Sequence, residues 1–200
     1  TKNRESSENL AAYQAKYHWR NPLIRYANKR FFETIQALLA QVPPTNILDA
    51  GCGEGVVLDM ILDQADNVVG LDIDLERLLE GKHLITKASL IQGSLHALPF
   101  PDDSFGAVLS FEVLEHVRDP DAAIKELYRV TSNYLLVSVP NEPWWRIGNM
   151  MRLKYLADLG NTPEHINHWT LHGFQHFVSN HFKIIDVRTP MLWTFILAKK

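Results

Sequence analysis

A single cysteine, Cys52, occurs in the 200 residues. One thiol excludes an internal disulfide framework and suits a reducing, cytoplasmic setting. Long apolar runs are also missing: nothing approaches the ~18 residues that a membrane-spanning helix needs, and the N-terminal TKNRESSEN has no apolar core. Neither a transmembrane helix nor a signal peptide is therefore expected. Charge of one sign is not in excess, because 20 Lys and Arg stand against 23 Asp and Glu for a net charge of -3. Without a broad basic field, nucleic acid is not expected as the main partner, and a small molecule is. There are no internal repeats and no low-complexity segment. What is present, 46% hydrophobic and 22% charged residues, describes a globular chain able to bury one large core, so a single domain over residues 1–200 is expected.

The pattern along the chain changes twice. The first forty residues read as helix: ENLAAYQAKY, then Asn21 and Pro22 as cap and first position of LIRYANKRFFETIQALLAQ, which stops at Pro43-Pro44. Short apolar runs follow at 46–50, 67–72, 89–93, 105–110 and 134–140, with helical segments between most of them. Such alternation predicts an α/β fold with a mostly parallel sheet covered on both faces. From 141 to 169 the rhythm breaks into a long irregular segment, a length at which connections tend to be functional. A helix (LHGFQHFVSN) and two closely spaced strands (HFKIIDVRT, LWTFILAKK) end the chain. The expected division is a helical segment 1–42, a core 43–140, a lid-like insertion 141–169, and a helix with a hairpin 170–200.

Within the core, ILDAGCGEG (47–55) is a buried strand containing Asp49, followed by Gly51, Gly53 and Gly55. Glycines between strand and helix permit positive φ and let a ligand lie against bare backbone. The spacing is GxGxG; Val56 stands where a GxGxxG dinucleotide binder needs its third glycine. Asp72 ends the second strand, where a Rossmann-type sheet grips ribose hydroxyls. Cys52 has no neighbouring base and reads as a small packing residue rather than a nucleophile.

These motifs, in this order, resemble the class I S-adenosylmethionine-dependent methyltransferases, especially the small-molecule group related to ubiquinone and menaquinone biosynthesis enzymes. The likeness runs from about Ile47 to Pro140 and rests on DAGCGEG, GLDID, QGSLHALPFPDDSF and LLVSVPN. It implies a Rossmann-like seven-stranded sheet of order 3-2-1-4-5-7-6 with the last strand antiparallel. It also implies S-adenosyl-L-methionine as cofactor, leaving as S-adenosyl-L-homocysteine. Asp49, Gly51, Cys52, Gly53 and Gly55 would then carry the methionine part, Asp72 the ribose, and Ile73 the adenine face. Ser94 and Leu95 would lie at the adenine edge, and Phe111 would complete the set. Two departures stand out: Ser94 replaces a common acidic residue, and Phe105-Gly106 replaces a common Phe-Asp.

FEVLEHVRDP (111–120) follows the fourth strand, at the edge where open α/β sheets bind ligands. Wound as a helix, Glu112, Glu115 and His116 would share one arc, opposite Val113, Leu114 and Val117. In the ubiquinone-type O-methyltransferases a similar E-x-x-E-H motif is associated with a divalent metal. The resemblance thus implies Glu112, Glu115 and His116 as ligands of an ion such as Mg, in competition with a plain polar helix face. Asp119-Pro120 caps the next helix.

Five histidines crowd the C-terminal part. Thr170 as N-cap puts His172 and His176 on a helix surface whose apolar side is Leu171, Phe174, Phe177 and Val178; His181 lies beyond it. The related O-methyltransferases carry a similar histidine in the preceding loop, so His165 and then His168, with His116, are the candidates for a catalytic base or further ligand. Trp144, Trp145, Met150, Met151 and Tyr155, interspersed with Arg146, Arg152 and Lys154, suit an apolar or aromatic acceptor, or simply packing on the sheet. The expected activity is methyl transfer to a small-molecule acceptor, with oxygen favoured. A non-catalytic cofactor-binding regulator or scaffold is the alternative, ahead of a nicotinamide-dependent oxidoreductase, which Val56 disfavours.

Overall fold

The structure, a computed structural model, describes residues 22–43, 45–63, 65, 67–82, 85, 87–151, 155 and 158–200. The ENLAAYQAKY helix and the Asn21 cap expected from sequence lie outside them. The described elements are α1 (Pro22–Leu39), β1 (Asn46–Ala50), α2 (Val56–Ile61), β2 (Asn67–Asp72), α3 (Leu75–Lys82), β3 (Ser89–Gln92), β4 (Phe105–Phe111), α4 (Pro120–Val130), β5 (Thr131–Pro140), α5 (Trp144–Met151), α6 (Leu171–Ser179), β6 (Lys183–Arg188) and β7 (Trp193–Lys199).

All seven strands form one sheet in the order β3-β2-β1-β4-β5-β7-β6, the order expected. The first five pair in parallel, and β7 inserts antiparallel between β5 and β6. Successive side chains of a strand point to opposite faces, and the apolar runs here feed both. Leu48, Val108, Val137 and Ile196 pack with Ile124 and Leu127 of α4 and Phe174 of α6. Ile47, Leu109, Leu136 and Leu197 pack on the other face with Ile35, Leu38 and Leu39 of α1. Each fully buried aliphatic or aromatic side chain contributes about 1.5–3 kcal/mol, so this two-faced core dominates the stability.

Local chemistry sets the helix ends. The Asp119 carboxylate accepts from the Ala122 N–H at 2.9 Å with Pro120 in the first turn, and Thr170 Oγ1 accepts from the Gly173 N–H at 3.2 Å. Arg129 of α4 clamps the loop that enters β4: its guanidinium donates to the Leu98 and Phe100 carbonyls at 3.0 and 2.7 Å and to Glu126 and Asp102. Gly106, one of the two departures noted above, has a local cause, because a Cβ there would collide with the Thr45 hydroxyl.

Chain order reverses at β1, whose neighbours are β2 and β4. Loops leaving β1 and β4 therefore diverge and open a crevice at the carboxyl edge of the sheet. Ser110 Oγ fastens that point by donating to the Ala50 carbonyl at 2.8 Å. No helix among the described residues is long and apolar enough to cross a membrane.

Candidate active site

Three glycines shape one wall of the crevice. Gly51, Gly53 and Gly55 have φ of 90°, 54° and 80°, values that side-chain-bearing residues rarely adopt. The Gly51 and Cys52 N–H groups both donate to the Leu71 carbonyl, at 2.7 and 3.0 Å, folding the loop over β2. Asp72 holds it there: one carboxylate oxygen accepts from the Gly53 N–H at 2.7 Å and the other from the Asp74 N–H at 2.9 Å. The three glycines are not equivalent. A Cβ on Gly51 would collide with Val113 and one on Gly55 with Ile85, whereas at Gly53 the nearest atom is the flexible Arg77 side chain at 3.8 Å. The loop is packed from below at its ends and open above its middle.

The surrounding residues agree with that opening. Asp49 is buried beneath the loop; burial, and then the Asp72 charge, push its carboxyl up to about 7. Cys52 lies against Gly70 and its thiol is pushed up by burial and by Asp49 and Asp72, which is the environment of a packing residue rather than of an activated nucleophile. Ile73 is 70% exposed past the end of β2, and Gln92 donates to its carbonyl at 3.1 Å. Ser94 opens a turn, its hydroxyl accepting from the His96 N–H at 3.2 Å, while Leu95 and Phe111 are buried.

The FEVLEH stretch differs from the helix that its spacing allowed. Glu112 takes a left-handed φ of 56°, and a turn closes with the His116 N–H donating to the Val113 carbonyl. The Leu114 and Val117 carbonyls are satisfied from elsewhere, by the Asn167 side-chain amide at 3.0 and 2.6 Å. The expected triad is consequently split. Glu112 is held by Trp193 Nε1–H at 2.8 Å and the Ser138 hydroxyl at 3.1 Å, and its enclosure raises the carboxyl to about 8 against the opposing pull of those two donors.

Glu115, His116 and a third residue, His165, do converge: one ligand atom from each lies within 4.8 Å of the others. Glu115 is 1% exposed, and neither carboxyl oxygen has a hydrogen-bond partner among the described residues. Burial, and then the Glu112 charge, push its carboxyl well above the ordinary range. His116 Nδ1 lies 2.9 Å from the Glu164 carbonyl, so that nitrogen donates, while Nε2 lies 4.0 Å from Glu115 Oε1. His165 is buried, edge-on to His116 with ring centroids 4.9 Å apart and stacked on Trp145. Desolvation, with His116 and His168 nearby, lowers it to about 4, leaving a neutral imidazole. The buried Glu115 carboxyl beside two imidazoles forms a donor set that fits a divalent cation.

His168 is not in this cluster. Its Nδ1 lies 3.6 Å from Glu142, which also pairs with Arg146 at 3.5 Å. His172 and His176 sit exposed on α6, as read from the Thr170 cap. Sequence reasoning missed Glu142, Ser138, Asn167 and Trp193. An acidic residue between two structure-breaking positions in PNEP could have pointed to Glu142; the other three act across 26 to 81 residues and carry no local signal.

Sheet order, the left-handed glycine loop and the acidic residue ending β2 define a Rossmann-like class I methyltransferase fold. Residues 48–134 match the family described as "Methyltransferase domain". The chain is 35% identical over 118 residues to a "Probable S-adenosylmethionine-dependent methyltransferase" of Mycolicibacterium smegmatis, covering 58% of this chain and 46% of the relative. It is 36% identical over 117 residues to the ubiquinone/menaquinone biosynthesis C-methyltransferase UbiE of Xanthomonas oryzae, covering 54% and 45%. The chain thus spans less than half the length of these curated relatives. A solved S-adenosylmethionine-dependent methyltransferase from Mesorhizobium loti superposes with a TM-score of 0.70 at 18% identity over 86% of this chain and 98% of that one, which establishes the shared fold.

Proposed function

We propose that this protein is a cytoplasmic enzyme that transfers the methyl group of S-adenosylmethionine to an oxygen of a small, largely apolar or aromatic acceptor. The observation carrying this reading is the glycine loop, left-handed at three positions, tied to Asp72 and open above Gly53. The methionine part lies along Gly51 to Gly55 over Asp49 and Cys52. Asp72 keeps unused lone pairs for the ribose hydroxyls. Exposed Ile73 offers the adenine an apolar face, with Ser94 and Leu95 at its edge, and Phe111 floors the crevice. A GxGxG loop without the third glycine argues against a nicotinamide cofactor.

When bound, the cofactor supplies a methyl group on a sulfonium, so that the O–C bond forms as the C–S bond breaks and S-adenosylhomocysteine is released. The chain's own task is alignment, exclusion of water and disposal of the acceptor proton. Glu115, His116 and His165 would hold a divalent cation, which lowers the pKa of a coordinated hydroxyl. His165, pushed down to about 4, is better suited to ligation than to taking a proton at neutral pH. His168, oriented by Glu142 and open to solvent, is the residue to accept it. The named relatives include a C-methyltransferase; oxygen is preferred here because this donor set suits a hydroxyl.

Incubation with methyl-labelled S-adenosylmethionine and a panel of phenols and catechols tests this. Label should appear on oxygen, fall on exhaustive chelation, and return with Mg or Mn. Label on carbon, or transfer undiminished in metal-free protein, would contradict the oxygen and metal assignments.

A further inference from the structure

Folding does not account for Arg77. It stands in the first turn of α3, where a cation opposes the helix dipole, whereas Glu76 beside it has the sign that suits that end. The Asp74 carboxylate caps the helix by accepting from the Glu76 and Arg77 N–H groups at 2.9 and 3.3 Å, which uses the Arg77 backbone and not its side chain. Among the described residues the guanidinium makes no hydrogen bond. Its Nε lies 3.8 Å from Asp74 with 62% of the side chain exposed, a pair too long and too wet to contribute much.

The place of Arg77 is nevertheless well defined. A Cβ on Gly81 would collide with the Glu54 carbonyl, so α3 lies backbone to backbone against the glycine loop. Arg77 precedes Gly81 by four residues and shares that face of the helix, one turn nearer its start. That start follows the end of β2, at the carboxyl edge of the sheet. There the Arg77 side chain runs alongside the loop: its δ-carbon and Nη1 lie 4.0 and 3.8 Å from the point that a Cβ on Gly53 would occupy.

The two halves of the loop face different neighbours. Gly51 faces β4, where a Cβ would meet Val113, and Gly53 faces α3. The loop's own donors are largely spent within the fold: the Gly51 and Cys52 N–H groups on the Leu71 carbonyl, that of Gly53 on Asp72, and that of Gly55 on the Cys52 carbonyl. A molecule over the middle of the loop therefore depends on side chains for further contact. Asp72 and the exposed Ile73 lie on the same connection from β2 to α3 as Arg77, which makes this the nucleoside half of the crevice.

We propose that Arg77 closes over the nucleoside of the bound cofactor, its guanidinium plane stacked on the adenine ring opposite Ile73. The role presupposes that the loop binds S-adenosylmethionine, and it adds a residue outside both the GxGxG stretch and the acidic end of β2. Adenine offers a flat π face without charge, and a guanidinium stacks on such a face while its edge stays hydrated.

Titration calorimetry of the full chain with S-adenosylhomocysteine, and with 5′-methylthioadenosine, which lacks the amino-acid part, tests this. Arg77→Ala should weaken both ligands by the same factor, about 3- to 30-fold. Arg77→Lys keeps the charge but not the plane and should restore little of that loss. At so exposed a position neither change should move the thermal midpoint by more than about 2 °C, so weaker binding will not reflect unfolding. Parental or tighter binding by Arg77→Ala would overturn the proposal. So would a loss confined to S-adenosylhomocysteine, which would put Arg77 on the amino-acid part, or full recovery in Arg77→Lys, which would exclude stacking. A parent chain that binds neither ligand would remove the cofactor reading itself, and this role with it.

Discussion

Gly53→Ala separates the loop's folding from its binding. At φ of 54° an alanine costs about 1–2 kcal/mol, and its methyl would meet only the Arg77 side chain at 3.8 Å or beyond. For a chain of this size each kcal/mol lowers the melting temperature by about 2–4 °C, so a loss of only a few degrees is expected. The same methyl stands in the space over the open middle of the loop, and S-adenosylhomocysteine should bind about 10- to 100-fold more weakly, which corresponds to about 1.4–2.8 kcal/mol. Gly51→Ala should behave oppositely in stability. It adds about 1–3 kcal/mol of overpacking to the backbone cost, because its Cβ collides with Val113, for a total of about 2–5 kcal/mol. Val113→Ala in the same chain should return the steric part but not the backbone part. Calorimetric melting and titration with S-adenosylhomocysteine read both quantities. Parental affinity in Gly53→Ala would refute the position assigned to the cofactor, and equal melting losses at 51 and 53 would refute the packing under Gly51.

Stability should fall as pH rises from about 5 to 8. The Asp49 and Glu112 carboxyls, raised to about 7 and about 8, stay protonated in the folded state where the unfolded chain is ionised; each group then contributes a slope of up to about 1.4 kcal/mol per pH unit. Glu112→Gln keeps an acceptor for Trp193 and should flatten that fall in denaturant titrations at pH 5, 6.5 and 8; an unchanged slope would contradict the buried protonated carboxyl. Thr170→Ala, which removes the α6 cap, should cost about 1 kcal/mol in chemical unfolding. Arg129→Met strips the donors from the Leu98 and Phe100 carbonyls and should cost about 2–3 kcal/mol, with faster amide exchange confined to residues 96–104; uniform exchange along the chain would argue against a local clamp.

Much of the scaffold was readable from residues alone, since short apolar runs such as NILDA and NVVGLD match β1 and β2 residue for residue. Pro120 and Thr170 announce α4 and α6 because capping is settled within a few residues. FEVLEH was less legible. Its apolar spacing allows a helix, but Asn167, some fifty residues away, supplies hydrogen bonds to the Leu114 and Val117 carbonyls and so stabilises a turn instead. The metal-ligand reading of Glu112 met the same obstacle, because Trp193 and Ser138 reach it from other strands. The loop position marks out His165, but its meeting with Glu115 and His116 depends on residues 164–167 bonding back to the turn after β4.

The central claim is that the glycine loop and Asp72 form a site for S-adenosylmethionine. Isothermal titration of the unmodified chain with S-adenosylhomocysteine, beside NADH as a control, tests it most directly. One saturable site for S-adenosylhomocysteine and no heat from NADH is the predicted result; no binding of S-adenosylhomocysteine, or preferential binding of the nicotinamide nucleotide, would contradict it.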